Sequence, residues 1–350
     1  MFESLGFETL TPQQAAVWFG LGLGLLFGVL AQLSAFCFRR ALVGEDRRQA
    51  AGVWFAALAM AVAGTQAAQA AGWISFADHR YLAGDLPVAA VLLGGLMFGA
   101  GMVLTRGCVS RLMVLTGSGN LRALLVLAVF AVVAHAALKG VLAPLRVAIG
   151  GLTVSLGEAA ALSNWVGGPW VWTAVIVAFA ALIVARSGAR PGMLALGALI
   201  GLLVPLGWVG TGFVLFDEFD PIVMESLSFI SPSSEALFWT IASSAVPAGF
   251  GVGLIGGVLS GALIAALASG RFQWQSFESP RQTGRYLAGA ALMGAGGVLA
   301  GGCTIGAGLS GVPTLGLSAI LALGAIAAGG LTMNALLSRS PSGARLAPAE

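Results

Sequence analysis

The chain alternates long apolar stretches with short polar connections along almost its whole length. Nine stretches are each long enough to cross the hydrocarbon core of a bilayer, which takes about 17 to 25 residues of helix. They cover approximately residues 13–36, 50–73, 88–105, 121–143, 169–186, 191–213, 238–268, 286–302 and 314–337. The pattern predicts an all-α polytopic membrane protein with about nine transmembrane helices, forming one domain over residues 1–350.

Composition agrees with a lipid environment. Hydrophobic residues make up 58% of the 350 residues and charged residues only 9%, whereas a soluble domain carries roughly 25% charged residues. The 52 glycines suit close packing of helices in a membrane bundle. The arginines are scattered through the connections without forming a basic stripe, so nucleic acid is not an expected partner.

Basic residues are concentrated in alternate connections, which predicts the orientation in the membrane. Fourteen of the 17 Lys and Arg residues fall on one side, including Arg345 in the C-terminal tail, and only Arg80, Lys139 and Arg146 fall on the other. Because Lys and Arg are retained in the cytoplasm, we expect the N-terminus outside and the C-terminus inside. No basic residue precedes the first apolar stretch, so we expect that stretch to remain in the mature protein.

An internal repeat relates the two halves of the chain. Residues 99–108 and 294–303 are identical at seven of ten positions, and both segments end in Gly-Cys. A weaker match relates residues 28–33 to residues 201–206. Each match pairs a span with the fifth span after it, and an odd displacement reverses the direction through the membrane. We predict inverted repeats over residues 13–168 and 169–337, an architecture of many secondary transporters; shared ancestry without transport is the alternative.

The Gly-Cys motifs mark points where membrane helices are expected to break, because glycine lets the chain unwind. Irregular backbone at membrane depth is tolerated only where it is buried in protein or lines a cavity. We therefore predict re-entrant loops, whose free amides would attract a small anion. The backbone expected to line the substrate path is that of Gly107, Gly301, Gly302, Thr304 and Gly306.

The charges inside the spans also favour an anionic substrate. No span has an interior Asp or Glu, whereas a carrier of cations usually needs intramembrane carboxylates. Arg106 and Arg111 flank Cys108, and two interpretations are open for them. Either they draw an anion inward, or they are interfacial anchors that follow the positive-inside rule.

The three cysteines are Cys37, Cys108 and Cys303, and they show no CxxC spacing. We expect free thiols with no disulfide, no metal site and no cofactor. A protonated thiol in an apolar site is a weak donor and a soft acceptor, which suits sulfur ligands better than oxygen ligands. Any one of these cysteines is explained equally well as a small hydrophobe, but Cys108 and Cys303 occupy matching repeat positions, which favours a function.

Three motifs make the sequence similar to the YeeE/YedE family of bacterial inner-membrane proteins, known for thiosulfate uptake and, in some members, for other sulfur or selenium species. The motifs are Gly24–Cys37, Gly94–Cys108 and Met293–Gly306. The resemblance covers nearly the whole chain. This chain departs from the common family pattern at Ser34-Ala35, where Gly-Arg is frequent, and at Arg106, where Gly is frequent.

The resemblance implies a function for the three cysteines. In family members, cysteines at these positions line a central path formed by re-entrant loops and relay thiosulfate by transient S–H to sulfur hydrogen bonds; these roles would fall on Cys37, Cys108 and Cys303. A small cytoplasmic sulfur carrier resembling TusA is the implied partner. We predict an importer of thiosulfate or a related small sulfur anion in the bacterial inner membrane, and not an enzyme. The alternatives are a membrane thiol-redox protein, a transporter of another sulfur or selenium species or of a soft metal such as Cu(I), and a scaffold subunit.

Overall fold

The computed structural model describes residues 10–277 and 279–339, which are mostly α-helical. The helices in chain order are α1 Pro12–Ser34, α2 Phe38–Val43, α3 Arg47–Ala70, α4 Val88–Leu104, α5 Val109–Gly117, α6 Leu121–Lys139, α7 Ala143–Gly150, α8 Gly168–Arg186, α9 Pro191–Val209, α10 Ser231–Ala242, α11 Phe250–Ala268, α12 Pro280–Leu299 and α13 Leu317–Arg339. Two short strands, β1 Asp85–Leu86 and β2 Val154–Ser155, pair antiparallel. Residues 1–9 and Arg345, which entered the orientation prediction, lie outside the described residues.

Nine helical segments in the described ranges are long and apolar enough to cross a membrane, which confirms the predicted fold class. They are Pro12–Val43, Arg47–Ala70, Val88–Gly117, Leu121–Lys139, Gly168–Arg186, Pro191–Val214, Phe250–Ala268, Pro280–Thr314 and Leu317–Arg339. Large apolar side chains such as Trp18, Val132 and Phe179 are exposed on these helices. An apolar surface of this extent is typical of contact with a lipid bilayer.

The predicted span at residues 238–268 is wrong in its extent, because the chain forms two separate helices there. α10 ends at Ala242 and α11 begins at Phe250. Between them, Pro247 has no backbone N–H to donate to a helix, and Gly249 is extended, with φ −124° and ψ −173°. The crossing helix is α11 alone, and α10 packs as a shorter helix against α6 and α11.

Glycines bring the central helices to backbone contact. α1 and α11 form the most extensive helix pair, and a Cβ at Gly24 or Gly257 would collide with a backbone carbonyl of the opposite helix. Lipid tails are as apolar as leucine, so association in a membrane depends on such close van der Waals packing. Around this pair, α3 packs against α8 and α9, α4 packs against α12 and α13, and α6 packs against α12.

Three of the crossing segments are interrupted. α1 gives way to α2, α4 gives way to α5, and α12 gives way to a π-helical turn at Thr304–Gly311 followed by a 3-10 turn at Val312–Thr314. Each interruption contains one of the three cysteines. The breaks therefore bring non-helical backbone and thiols to the same points of the fold.

Candidate functional site

The three helix breaks share one local structure, here called the cysteine turn: Ala35–Cys37, Arg106–Cys108 and Gly301–Cys303. The first residue of each turn has a left-handed backbone, with φ of 50°, 60° and 71° in that order. The cysteine is extended and is the N-cap of the helical segment that follows. The same turn thus ends one helix and delivers a thiol to the start of the next.

Matching hydrogen bonds close the three cysteine turns. The amide of the middle residue bonds to the carbonyl five residues earlier at 3.1 Å in every case; the pairs are Phe36 to Ala31, Gly107 to Met102, and Gly302 to Gly297. This bond, made after a left-handed residue, is the one that terminates many helices. Because each turn is tied to the last turn of its own helix, the position of each thiol follows from the position of a membrane helix.

The three thiols lie in one buried region. The thiols of Cys37 and Cys108 are neighbours and interact with each other, and Cys108 Sγ is 3.3 Å from Ser110 Oγ. The hydroxyl of Thr304 also faces the Cys108 thiol, which joins the second turn to the third. Cys37 is 7% exposed and Cys108 and Cys303 are each 1% exposed. All three are free cysteines.

Backbone amides surround the sulfur of Cys303. Gly306 N donates to Cys303 Sγ at 3.3 Å, and the amides of Ile305 and Phe229 also face this thiol. Several N–H groups directed at one point favour negative charge there, most of all at the start of a helical segment. The surroundings of Cys303 therefore suit an anion that also presents a soft atom to the thiol.

The other two thiols face amides in the same way. The amides of Arg40 and Arg111 are each the third after their cysteine and face the thiols of Cys37 and Cys108, without completing full N-cap hydrogen bonds. Because these N–H groups are not consumed by strong internal bonds, they can donate to a ligand at the same position.

The two arginines singled out from the sequence lie in different surroundings. The Arg111 side chain is half-buried, interacts electrostatically with Cys37 and Cys108, and has a buried Nη1 that makes no hydrogen bond. Arg106 instead lies near Arg285 at the start of α12, and the two guanidinium groups repel each other. Arg111 is therefore the arginine adjacent to the thiols.

The five backbone positions expected along the path all lie in or beside the cysteine turns. Gly302, Thr304 and Gly306 are buried around Cys303, Gly301 is partly buried, and Gly107 is buried before Cys108. Gly302 has the least space, because a Cβ there would lie 2.7 Å from Ala307 N and 2.9 Å from Tyr81 Oη. A Cβ at Gly107 would make ordinary contacts, with Leu112 at 3.4 Å and Arg111 Cγ at 3.6 Å.

The sequence analysis missed the non-helical segment at residues 221–230, which lies between α9 and α10 and runs into the core. Ser226, Leu227, Phe229 and Ile230 are all buried. Ser226 Oγ donates to Val204 O at 2.8 Å. The segment brings the Phe229 amide to Cys303, so it is irregular backbone of the kind that belongs inside a protein core or along a cavity.

A sequence signal for this segment exists. Prolines at 221 and 232 bracket it, and serines alternate with apolar residues from Ser226 to Phe229. Pro disfavours the helical conformation of the residue before it, and the stretch is too short to cross a membrane as a helix. The pattern therefore predicts a buried, extended segment here.

Tyr81, which the sequence analysis also left out, covers the third cysteine turn from the connection between α3 and α4. Its side chain is buried, and its hydroxyl lies 3.1 Å from Gly301 O and 3.0 Å from Gly306 O, on both sides of Cys303. The available signal was modest: Tyr81 is one of two tyrosines in the chain and follows the only basic residue of its connection, Arg80.

Buried polar atoms without partners adjoin the thiols. Thr304 Oγ1 and Trp54 Nε1 are both buried and complete no hydrogen bond, and Trp54 lies against Phe38, next to Cys37, with ring centroids 4.7 Å apart. Buried polar atoms are normally paired, so Trp54 Nε1 is available to a ligand, and so is Thr304 Oγ1 apart from its contact with the Cys108 thiol. Within residues 10–277 and 279–339, no group of three or more His, Cys, Asp or Glu side chains is arranged to hold a metal ion.

Comparison with known proteins agrees with the motifs. A family model described as sulphur transport matches residues 33–332. The chain is 27% identical over 319 residues to the thiosulfate transporter TsuA of Escherichia coli, covering 83% of this chain and 86% of that protein. It is also 27% identical over 350 residues to the thiosulfate transporter TsuA of Spirochaeta thermophila, covering 87% of this chain and 93% of that protein. Both relatives are named as transporters, not as enzymes. Because the family model spans most of its length, the chain belongs to the sulphur-transport family, YeeE/YedE, which its motifs resemble.

Proposed function

We propose that the protein imports thiosulfate, or a closely related small sulfur-containing anion, through a path lined by the three cysteine turns. The observation that carries this proposal is the meeting of three free thiols, each faced by backbone amides, in one buried region. Two relatives that align over most of the chain are named thiosulfate transporters. In the described crossing segments no carboxylate is present to repel an anion.

The chemistry of the turns matches the two ends of thiosulfate. Its oxygen atoms accept hydrogen bonds from amide N–H groups, and its terminal sulfur accepts from an S–H donor. A neutral thiol carries no charge of its own and holds the anion only weakly, so the anion can pass to the next contact. The proposed relay therefore consists of successive weak contacts, each replacing water that the anion has lost.

The order of contacts follows from the neighbours of each thiol. Cys303 lies beside Tyr81 and Phe229, which belong to connections assigned to the outside. Cys37 lies beside Arg111, on the basic side of the protein. The proposed sequence from outside to inside is Cys303, then Cys108, then Cys37, with the N-terminus outside and the C-terminus inside. Arg111 would attract the anion toward the last two thiols.

The inverted repeat is part of the same proposal, and the helix contacts support it. If α1, α3, α4 and α6 are matched with α9, α11, α12 and α13, the α1–α11 pair corresponds to α9–α3, and the α4–α13 pair corresponds to α12–α6. The α4–α12 pair corresponds to itself. Such exchange symmetry is expected of two inverted halves, over residues 13–168 and 169–337, that meet at a midplane site. A cytoplasmic carrier resembling TusA, accepting the imported sulfur, completes the proposal on the family resemblance alone.

Transport of labelled thiosulfate by the purified protein in proteoliposomes tests the proposal. Each cysteine is replaced by alanine and by serine, and Gly22→Ala, at an open position on α1, is the matched control. Loss of one buried partner along the path raises the barrier by about 1 to 3 kcal/mol, which lowers the rate about five- to a hundredfold. Serine keeps an acceptor for the amides but not the soft sulfur, so it should fold like the wild type and transport slowly.

Normal uptake in all three alanine variants would overturn the relay. Competition by unlabelled selenium oxyanions, other sulfur anions and Cu(I) defines the substrate class. If thiosulfate is not transported and another of these species is, the path is retained but its substrate is reassigned.

One observation favours a second candidate function, a membrane thiol-redox protein: the thiols of Cys37 and Cys108 are within reach of each other. Forming a disulfide between them would remove two protons and two electrons, which a disulfide or quinone oxidant would have to accept. Mass spectrometry during turnover separates the two functions. A disulfide that appears and disappears with substrate supports redox chemistry, whereas thiols that stay reduced throughout uptake support the relay.

A further inference from the structure

The connection between α3 and α4 is seated on the third cysteine turn by Tyr81. Ser318 Oγ donates to Tyr81 O at 2.9 Å, and the Tyr81 amide donates to His79 Nδ1 at 3.3 Å. The ring lies so close to Gly311 that a Cβ there would be 3.0 Å from ring carbon Cε2. The backbone and the ring are thus held in place independently of the hydroxyl.

The Tyr81 hydroxyl bonds to the backbone on both sides of Cys303 and lies near enough to interact with its thiol. One O–H proton is shared between Gly301 O and Gly306 O, the carbonyls on either side of the thiol. Cys303 is only 1% exposed. These two bonds tie the Tyr81 side chain to both ends of the segment that holds the thiol, so the ring stays on that segment while they hold.

Arg80 is positioned to respond to an arriving anion. Its side chain is exposed, Nη2 is 3.4 Å from Tyr81 Oη, and the guanidinium carbon is 5.0 Å from the centre of the Tyr81 ring. No salt bridge of Arg80 occurs among the described residues. The guanidinium is therefore held over the ring by weak contacts that an anion can replace with stronger, charge-assisted ones.

Three titratable groups face Arg80, and at pH 7 two of them carry no charge and the third carries only part of one. His79 is partly buried, and burial, followed by the charge of Arg80, lowers its pKa to about 4, so it is neutral at pH 7. Burial raises the pKa of Tyr81, so its hydroxyl stays protonated. Burial, with a contribution from Glu235, raises the pKa of Glu225 to about 7. At pH 7 only part of this carboxyl group is charged, so it offsets the positive charge of Arg80 only in part.

We propose that Arg80 and Tyr81 form an anion-operated outer gate, in which a small oxyanion binds the Arg80 guanidinium, draws it away from the Tyr81 ring, and releases Tyr81 from the carbonyls that flank Cys303. The gate rests on the proposed import function, since it assigns the outer entrance of the same path. Arg80 is the capture residue, and Tyr81 is a positioning residue that controls access to the thiol.

Access to Cys303 can be measured without measuring transport. Right-side-out membrane vesicles containing the full chain are exposed to a membrane-impermeant maleimide, and alkylation of Cys303 is followed by peptide mass spectrometry. Tyr81→Phe removes only the hydroxyl, and Tyr286→Phe, the same change at the other tyrosine, is its control. Loss of one hydrogen bond should speed Cys303 alkylation about three- to tenfold in Tyr81→Phe and leave it unchanged in Tyr286→Phe.

The capture step has its own test in the same vesicles. Thiosulfate should accelerate Cys303 alkylation in the wild type and have no such effect in Arg80→Gln, while Arg146→Gln, at another basic residue assigned to the outside, should behave like the wild type. Arg80→Gln should also raise the KM for uptake and leave kcat nearly unchanged. Alkylation of Tyr81→Phe at the wild-type rate would overturn the gate, and unchanged acceleration in Arg80→Gln would overturn the capture step. The import function is tested separately, by uptake in the cysteine variants, so its failure can be distinguished from failure of the gate.

Discussion

Replacing Gly302 by alanine tests whether the position of Cys303 controls transport. The added Cβ would lie 2.7 Å from Ala307 N and 2.9 Å from Tyr81 Oη, far inside the optimal separation of about 3.5 to 4.0 Å for non-bonded carbon atoms. Ala307 N is itself bonded to Cys303 O at 2.8 Å. The helical turn therefore cannot retreat from the new methyl group without moving the cysteine.

The size of the effect follows from this overlap. Forcing a methyl group into a well-packed core costs about 1 to 3 kcal/mol, and part of that cost is relieved by displacing the Cys303 turn and the Tyr81 hydroxyl. If the displaced thiol no longer meets the anion, the same free energy applied to the barrier lowers the uptake rate about five- to a hundredfold. The unfolding temperature in detergent should fall by several degrees at most, about 2 to 8 °C.

Two neighbouring changes provide controls. Gly301→Ala puts a methyl group into open space at a φ of 71°, and Ala35 and Arg106 already occupy the equivalent position of the other turns with a side chain. We expect a loss of about 1 kcal/mol in stability and uptake close to the wild type. Gly107→Ala, where the nearest atom is 3.4 Å away, should also transport.

The assay is the initial rate of labelled thiosulfate uptake in proteoliposomes with matched protein content, together with thermal unfolding of each variant. Uptake by Gly302→Ala equal to that of Gly301→Ala would refute the reasoning. This holds even if uptake falls in both variants, because an equal loss would be a general response to alanine in this turn and not a consequence of the collision.

Three further predictions concern charge and redox state. The pKa of Glu225 is raised to about 7, so its carboxyl group is neutral below that pH and charged above it. Uptake should fall as the outside pH rises from about 6 to about 8, because the charged carboxylate competes with the anion for Arg80. Glu225→Gln should flatten this pH profile. A pH profile unchanged by that substitution would exclude the acid. Mild oxidation should join Cys37 to Cys108, block uptake and be reversed by a reductant, as followed by non-reducing peptide mass spectrometry; failure to cross-link would contradict their proximity. Arg111→Gln should lower uptake about tenfold through loss of a half-buried charge beside these two thiols, whereas unchanged uptake would leave Arg111 as an anchor.

Hydropathy alone predicted the membrane fold, because each crossing helix must be apolar along its whole length to contact lipid. The one clear error, the span at 238–268, arose where Pro247 and Gly249 interrupt a continuous apolar stretch. Hydropathy sums over such a break, whereas the backbone does not: Pro247 has no N–H to donate to a helix, and Gly249 is extended.

The cysteine turns were predictable in part. Glycines before Cys108 and Cys303 correctly indicated breaks in the helices, but the first turn has Ala35 in the left-handed conformation, which glycine content cannot reveal. Only the backbone geometry of the three turns shows that they share one conformation and are closed by the same hydrogen bond. The sequence pointed to Arg106 and Arg111 equally, and the fold separates them, because Arg106 lies in the left-handed turn after α4 whereas Arg111 lies on α5.

From its residues alone, this chain determines the nine long apolar helices of its described ranges, the helix breaks before Cys108 and Cys303, and the family it belongs to, because these properties are carried by apolar stretches and short motifs. Tertiary structure decided which interruptions meet. Cys37 and Cys108 are joined by the packing of distant helices, and Cys303 is covered by Tyr81 and approached by Phe229 from connections far away in the chain. Those contacts arise from glycine-mediated helix packing and from hydrogen bonds between remote segments, and neither is encoded in any local pattern of apolar and polar residues.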